Sequence, residues 1–346
     1  MARLFDIAAR HAARLARGRT SWLFVLIAVL AAMTTVLLGL DTTAVLLTPV
    51  VLSVAVQLDL PPLPFALLTV WLANTASLLL PVSNLTNLLA LDRLNVEPHQ
   101  FAARMWAPEL VAVALTVLLI GARYRRLLTV RYAPLPAPHV DDPLLLTAAA
   151  AACLGIVPAL LLGADPVTTM TVAAASLTGV FAVRNRSVLR LRLVPWRLAV
   201  LVLSLALVVE TALRHGGGRV VRAVVGSGGG LGDLLQVAGV GAAASNLVNN
   251  LPAYLVIEPH VVPDGGASVA SGSASASGGD PRLFALLLGT NLGPLVLLWG
   301  SLATLLWRER LRARGLDVSA RQFATFGLIG VPVILTCAAV ALWLTG

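Results

Sequence analysis

Between Leu231 and Ile257 the chain is largely apolar, yet its middle reads Ser245-Asn-Leu-Val-Asn-Asn-Leu-Pro252. The setting decides what that run means. Hydrophobic residues make up 58% of 346, charged residues 12%, and mean hydropathy is +0.89, so the chain reads as an all-α polytopic membrane protein. In hydrocarbon an unpaired backbone or amide group costs several kcal/mol. Polar, helix-breaking sequence therefore survives at membrane depth only where protein buries it or where it lines a cavity. This run is a candidate binding site.

A second such stretch, Asp41-Thr-Thr-Ala-Val-Leu-Leu-Thr-Pro49, lies near the start. The blocks Ser21 to Leu40 and Ala44 to Val56 flank its polar tip, Asp41, Thr42 and Thr43, without a loop between them. Thirteen residues at 1.5 Å each fall short of a core of about 30 Å, which predicts a re-entrant hairpin over 21–57. The run at 245–252 makes the tip of an equivalent hairpin over 231–257. Each hairpin is followed by an interrupted apolar block. In 65–91 the interruptions are Asn74-Thr-Ala-Ser77 and Pro81-Val-Ser-Asn-Leu-Thr-Asn87. In 283–307 they are Thr290-Asn-Leu-Gly-Pro294 and Gly300-Ser-Leu-Ala-Thr304. Proline removes a helical hydrogen bond that neighbouring polar side chains can replace, so both blocks read as discontinuous helices.

Placing Asn74 on Asn291 sets Ser83-Asn-Leu-Thr-Asn87 against Gly300-Ser-Leu-Ala-Thr304 at a constant offset of 217. The 25 basic residues, all arginine, cluster at 3–19, 123–131, 184–197 and 308–314, between apolar blocks, as cytoplasmic loops do. With each hairpin making no net crossing, the four clusters share one side, and the hairpins open to opposite sides. That is an inverted repeat, the architecture of secondary transporters with a site at the midplane. The expected units are 1–138 and 143–346. Three spans, from 143 to 213, precede the second hairpin; none precedes the first, whose opening spans are expected to be missing. Residues 1–19 have the composition of a basic amphipathic helix at the cytoplasmic interface. The first apolar run is too long for a cleaved signal peptide.

These motifs resemble the bacterial arsenite efflux permeases, the arsenical-pump membrane proteins, within the ion transporter superfamily of sodium/proton antiporters and sodium-dicarboxylate symporters. The residues that carry the likeness are Leu47-Thr-Pro49, Asn74-Thr-Ala-Ser77, Ser83-Asn-Leu-Thr-Asn87, Asn249-Asn-Leu-Pro252, Leu292-Gly-Pro294 and Gly300-Ser-Leu-Ala-Thr-Leu-Leu-Trp307. The resemblance implies two hairpins and two unwound helices meeting at one substrate and ion site. On this sequence that site takes Asp41, Thr42, Thr43, Asn74, Thr75, Ser83, Asn84, Thr86 and Asn87 from the first half. From the second half it takes Ser245, Asn246, Asn249, Asn250, Asn291, Ser301 and Thr304. It further implies a lipid-embedded carrier of a small solute, arsenite or a small anion, in the plasma membrane, coupled to H+ or Na+. A homodimer and a cytoplasmic ATPase subunit are the protein partners it admits. The relatives usually carry an acid at the positions of Asn74 and Asn291, and a basic residue where this chain has Leu295 and Val296. They also begin about three spans earlier.

Amides and hydroxyls suit either a neutral trihydroxy solute or a small cation. Asp41 is the one acid in the expected inner site and so the expected coupling group. Cys153 and Cys337 stand outside the motifs and lack a third thiol partner for arsenic. Glu109 and Glu210 are expected near span ends, solvated or paired with interface arginines. Neither paired carboxylates nor a histidine cluster at one depth supports an enzyme. The basic runs lack interleaved aromatics, which excludes a nucleic-acid module. No cofactor or metal site is expected.

Overall fold

The computed structural model describes residues 4–133, 135–136, 142–184, 186–189, 218–261 and 279–345, with 196, 200, 203–204, 207–209 and 211 between them. Among the described residues the architecture is helical without a named strand. Most of the span expected over 193–213, Glu210 included, lies outside the described residues, as does most of 265–279, whose Ser, Ala and Gly composition reads as a linker.

The first half begins with α1 (Leu4–Leu15), α2 (Thr20–Leu38) and α3 (Leu40–Gln57). Next come α4 (Pro62–Thr75), α5 (Leu85–Leu94) and α6 (Pro98–Arg123). Two helices, α7 (Pro143–Leu161) and α8 (Pro166–Arg184), pack on each other and lead to the second half. There α9 (Gly218–Val225), α10 (Leu231–Val248) and α11 (Asn250–Val261) precede α12 (Pro281–Leu292), α13 (Leu302–Arg312) and α14 (Ala320–Leu344). Seven of these, α2, α3, α6, α7, α8, α10 and α14, are long and apolar enough to cross a bilayer. Leu110, Leu118, Leu154, Val172 and Leu328 are exposed on them, as an outward face in lipid requires. The protein is a multi-pass plasma-membrane protein.

The helices α2 and α3 form the first hairpin, but its tip is Gly39, not Asp41 to Thr43. Gly39 has φ +86°, and a Cβ there would sit 3.2 Å from the Ser83 carbonyl oxygen. Asp41, Thr42 and Thr43 occupy the first turns of the returning arm. That arm is also 18 residues long, not thirteen, because helix resumes directly after Gly39 and runs through a π-helical turn at Thr43–Leu47. The length argument for re-entry therefore does not hold by itself. Asn249, φ +83°, makes the same turn between α10 and α11. With ψ 157° this is a region populated almost only by glycine, so Asn249 holds a strained turn.

The two halves repeat their contacts. The amphipathic α1 packs on both arms of the first hairpin, and α9 on both arms of the second. The first hairpin packs on α4 and the second on α12; α4 packs on α6, and α12 on α14. Across the halves, α13 lies against α3 and α4, and α5 against α11 and α12. The counterparts α6 and α14 run antiparallel. Arg104, near the start of α6, donates from Nη1 to the Thr345 carbonyl beyond the end of α14, while Arg123 and Arg321 at the opposite ends line one cavity. Tyr132 ties α1 to the basic loop, donating from its hydroxyl to the Ala13 carbonyl at 2.6 Å.

Small residues set the closest helix pair. A Cβ on Gly289 of α12 would overlap the Ala238 carbonyl of α10, so these backbones touch, as small-residue interfaces in membranes allow. Gly155 of α7 has open space where its Cβ would be. We expect Gly289→Ala to lower stability by about 1–3 kcal/mol through overpacking, and Gly155→Ala to leave it nearly unchanged. Thermal unfolding of the detergent-solubilised protein checks both; equal midpoints for the two variants would show that the helices can separate at no cost.

Candidate functional site

Two gaps in helix structure face the hairpins. The first, break 1, runs between Thr75 and Leu85; the second, break 2, between Leu292 and Leu302, each with one 3-10 turn, Pro81–Ser83 and Gly293–Leu295. Prolines 81 and 294 cannot donate to a helical ladder, and the side chains after them cap the next helix instead. Asn84 accepts from the Thr86 amide at 3.3 Å and Ser301 from the Thr304 amide at 3.1 Å, both in extended conformation. The aligned positions Asn84 and Ser301 thus have one role.

Break 1 is held by Asn87. Its Nδ2 donates to the Ser77 carbonyl at 2.6 Å and the Leu80 carbonyl at 3.2 Å. Its Oδ1 accepts from Asn291 Nδ2 at 2.8 Å. The Oδ1 of Asn291 accepts in turn from Asn84 Nδ2 at 2.6 Å and Thr86 Oγ1 at 3.1 Å. All four side chains are buried. This cluster joins the end of α12 to the start of α5 across the two halves.

Break 2 is held by the second hairpin. Asn246 donates to the Gly293 carbonyl at 2.7 Å, accepts from the Leu297 amide at 2.9 Å, and its own carbonyl accepts from Trp299 Nε1 at 2.8 Å. The Asn250 amide donates to the Gly300 carbonyl at 2.9 Å, and Asn249 Nδ2 to the Trp299 carbonyl at 2.9 Å. The first hairpin meets break 1 in a corresponding way: Ser83 Oγ donates to the Val36 carbonyl at 2.9 Å beside Gly39.

The remaining expected residues divide. Thr43 shares a hydrogen bond with Thr35 at 2.8 Å across the first hairpin. The turn Leu40–Thr42 packs against α4 and α13, and Asp41 Oδ1 is buried without a hydrogen-bond partner. Asn74 donates to its own helix at Val70, leaving its buried Oδ1 without a partner. Ser301 and Thr304 bond each other at 2.8 Å. Three residues turn elsewhere. Thr42 and Ser245 bond carbonyls one turn back on their own helices, and Thr75 pairs with Thr116 of α6.

One residue of this region escapes sequence reasoning. Glu109 is 7% exposed, and its Oε2 accepts from the Leu78 amide at 3.0 Å and the Leu79 amide at 2.5 Å, both in break 1. It is neither solvated nor paired with an interface arginine. In the sequence the uninterrupted apolar run begins only after Glu109, which makes it look like the edge of a span. The helix starts at Pro98 and has 26 residues, so Glu109 lies well inside it. A continuous α-periodicity through Arg104 and Pro108 was the available signal.

The described residues contain no cluster of histidine, cysteine or acidic side chains able to hold a metal ion. No basic residue occurs in 35–48, 69–87, 241–252 or 286–304, and Asp41 is their one acid. The site-facing segments thus offer amides, hydroxyls and two capped helix N-termini.

A family model described as "Citrate transporter" matches residues 1–289. The chain is 30% identical to the arsenical pump membrane protein of Yersinia enterocolitica, an alignment covering 99% of this chain and 82% of that one. It is 29% identical to the arsenical pump membrane protein of Escherichia coli strain K12, with the same shares covered.

Truncating Asn291 to leucine would leave Asn84 Nδ2, Thr86 Oγ1 and Asn87 Oδ1 buried without this partner. We expect Asn291→Leu to cost about 1–3 kcal/mol and Asn249→Gly, at a half-buried position with φ +83°, to cost less. Chemical unfolding of the purified protein in lipid nanodiscs measures both. Asn291→Leu as stable as the parent would mean that the cluster does not join the halves.

Proposed function

The chain belongs to the citrate transporter family, and from that premise we propose that it is a secondary active carrier that exports arsenite by alternating access. The observation that carries the solute assignment is the chemistry of the segments around the two breaks. They contain amides and hydroxyls and no basic side chain. Arsenite near neutral pH is an uncharged trihydroxy acid, whose hydroxyls both donate and accept. Asparagine and threonine match it without moving a net charge into low dielectric. A citrate-like polyanion would bring two or three charges into a place with no cation opposite them, which costs many kcal/mol. The names of the similar proteins in Y. enterocolitica and E. coli agree with this choice.

The proposed site lies where the hairpin tips, Gly39 to Thr43 and Ser245 to Asn250, meet the breaks. Each tip is fastened to the break of its own half by few hydrogen bonds, and each break joins two helix halves that can tilt separately. Together with the antiparallel counterparts α6 and α14, this supports two inverted units, 1–138 and 143–346, rocking about one site.

A second reading has one observation in its favour. The helices α5 and α13 begin at the breaks, and helix N-termini favour negative charge. An anion carrier of the same family, driven by sodium or protons, would use them. The absence of a basic residue at Leu295 and Val296 weighs against it.

Expression in an arsenite-sensitive host should raise arsenite tolerance. Asn250→Leu, which removes a buried amide at the second tip, should abolish that tolerance at equal membrane expression. Growth against arsenite concentration, with immunoblots of the membrane fraction, reads this out. Full tolerance with Asn250→Leu would remove the tip from the site. No tolerance from the parent protein, with citrate uptake in its place, would select the anion carrier.

A further inference from the structure

We propose that Glu109 is the proton-carrying residue of this carrier, binding and releasing a proton as break 1 undocks from and docks on its carboxylate. The proposal rests on the transport reading above and names its coupling ion. It starts from an asymmetry. Both breaks must satisfy peptide groups that have no helical partner, and break 2 does so with Asn246, Asn249 and Asn250, none of which can change charge. Break 1 uses Asn87 for its carbonyls and Glu109 for its amides. Of the two unwound segments, one is therefore held by a group that can titrate. At the counterpart position α14 supplies no acid: residues 320 to 344 contain neither Asp nor Glu.

The geometry fits an ionised carboxylate. Two successive amides, Leu78 and Leu79, donate to the same oxygen. The charged oxygen of a carboxylate accepts both more strongly than the carbonyl oxygen of the neutral acid does, so protonation weakens these two bonds. Protonation thus favours release of Leu78 and Leu79, and docking favours loss of the proton. The displaced segment carries the Ser77 carbonyl, which Asn87 holds, and Asn87 is bonded to Asn291 of the other half. Glu109 is thus linked through the peptide groups of break 1 to the contact between the halves.

Among the described residues, no cation forms an ion pair with this carboxylate. Of the elements packed on α6, the helices α2, α4 and α7 contain no Asp, Glu, Lys or Arg. The helix α14 contributes Arg321 at its first turn, and the turn Arg125–Leu128 contributes Arg125 and Arg126, all at the end of α6 away from Pro98. On α6 itself, Arg123 is at that same end, His99 lies in the first turn, and Arg104 bonds Thr345. The thiols Cys153 of α7 and Cys337 of α14 complete the titratable groups of these elements and have no bond to Glu109. An ionisable side chain isolated in this way within a membrane-spanning helix is a functional candidate by default, and a proton is the ion that can neutralise it. In an exporter the proton is taken from the outer face and given to the cytoplasm, one per cycle at this residue.

The test uses Glu109→Gln, Glu109→Asp and Asp41→Asn in inverted membrane vesicles, with arsenite as the transported probe. The glutamine oxygen can accept from Leu78 and Leu79 but cannot titrate. We expect Glu109→Gln to lose accumulation driven by a pH gradient while arsenite counterflow without a gradient persists, and Glu109→Asp to regain part of the drive. A second readout does not depend on solute. Amide hydrogen exchange of the peptide spanning 76–83 is compared between parent and Glu109→Gln at one pH, then at several. Their ratio should change with pH; a ratio that is constant from acid to alkaline conditions overturns the proposal. Full pH-driven accumulation by Glu109→Gln also overturns it, and loss of drive in Asp41→Asn alone would move the proton to Asp41. If the parent moves no arsenite, the export reading fails, and the exchange ratio alone decides whether Glu109 governs break 1 through a proton.

Discussion

A peptide group that leaves a helix inside a membrane must find another partner, and this requirement organises the protein. Breaks 1 and 2 each free carbonyls and amides within an apolar helical bundle, where an unpaired peptide group is costly. The partners come from elsewhere in the chain: Asn87 and Glu109 for the first, Asn246, Asn249 and Asn250 for the second. Because the partners sit on other helices, satisfying the backbone also fixes which helices are neighbours. The asparagines are structural glue, and in the proposed carrier the same amides would face the solute.

The same solution appears twice with its partners exchanged. Gly39 and Asn249 make like turns, Asn84 and Ser301 make like caps, and each hairpin lies against the second half-helix of the opposite break. The correspondence fails where the chemistry differs. Asn291 binds three side chains of break 1, whereas Asn74, its aligned counterpart, turns back to its own helix. The reason lies in what faces them. Asn84, Thr86 and Asn87 offer Asn291 two donors and an acceptor, while the matching positions Ser301, Ala303 and Thr304 include an alanine, and the two hydroxyls bond each other.

How much of this could be read from sequence follows from the distance over which each signal acts. The hairpins, the breaks and their 217-residue offset are local patterns of apolar runs, prolines and amides, and they lie where the sequence places them. The exact turn was harder. Asp41 to Thr43 are the polar residues near the first tip, but the chain reverses at Gly39 because a positive φ selects for backbone freedom, not polarity. Glu109 was out of reach for another reason. Its partners are peptide amides 30 and 31 residues away, and an amide leaves no side-chain mark in the sequence. Asn246 shows the same limit: the residue is legible as polar at depth, its carbonyl and amide partners in break 2 are not.

The antiparallel pair α6 and α14 touches both breaks. On α6 the contact is a carboxylate, Glu109. On α14 it is a missing side chain: a Cβ on Gly327 would overlap the Leu295 carbonyl of break 2, and one on Gly330 would press on Trp71 of α4. Since these two helices pack on each other and are hydrogen-bonded where α6 begins and α14 ends, a shift of either against its break bears on the other. The pair behaves as the beam of a balance. In the alternating-access reading proposed above, the halves would hang from it like two pans, a load on one weighed against the other.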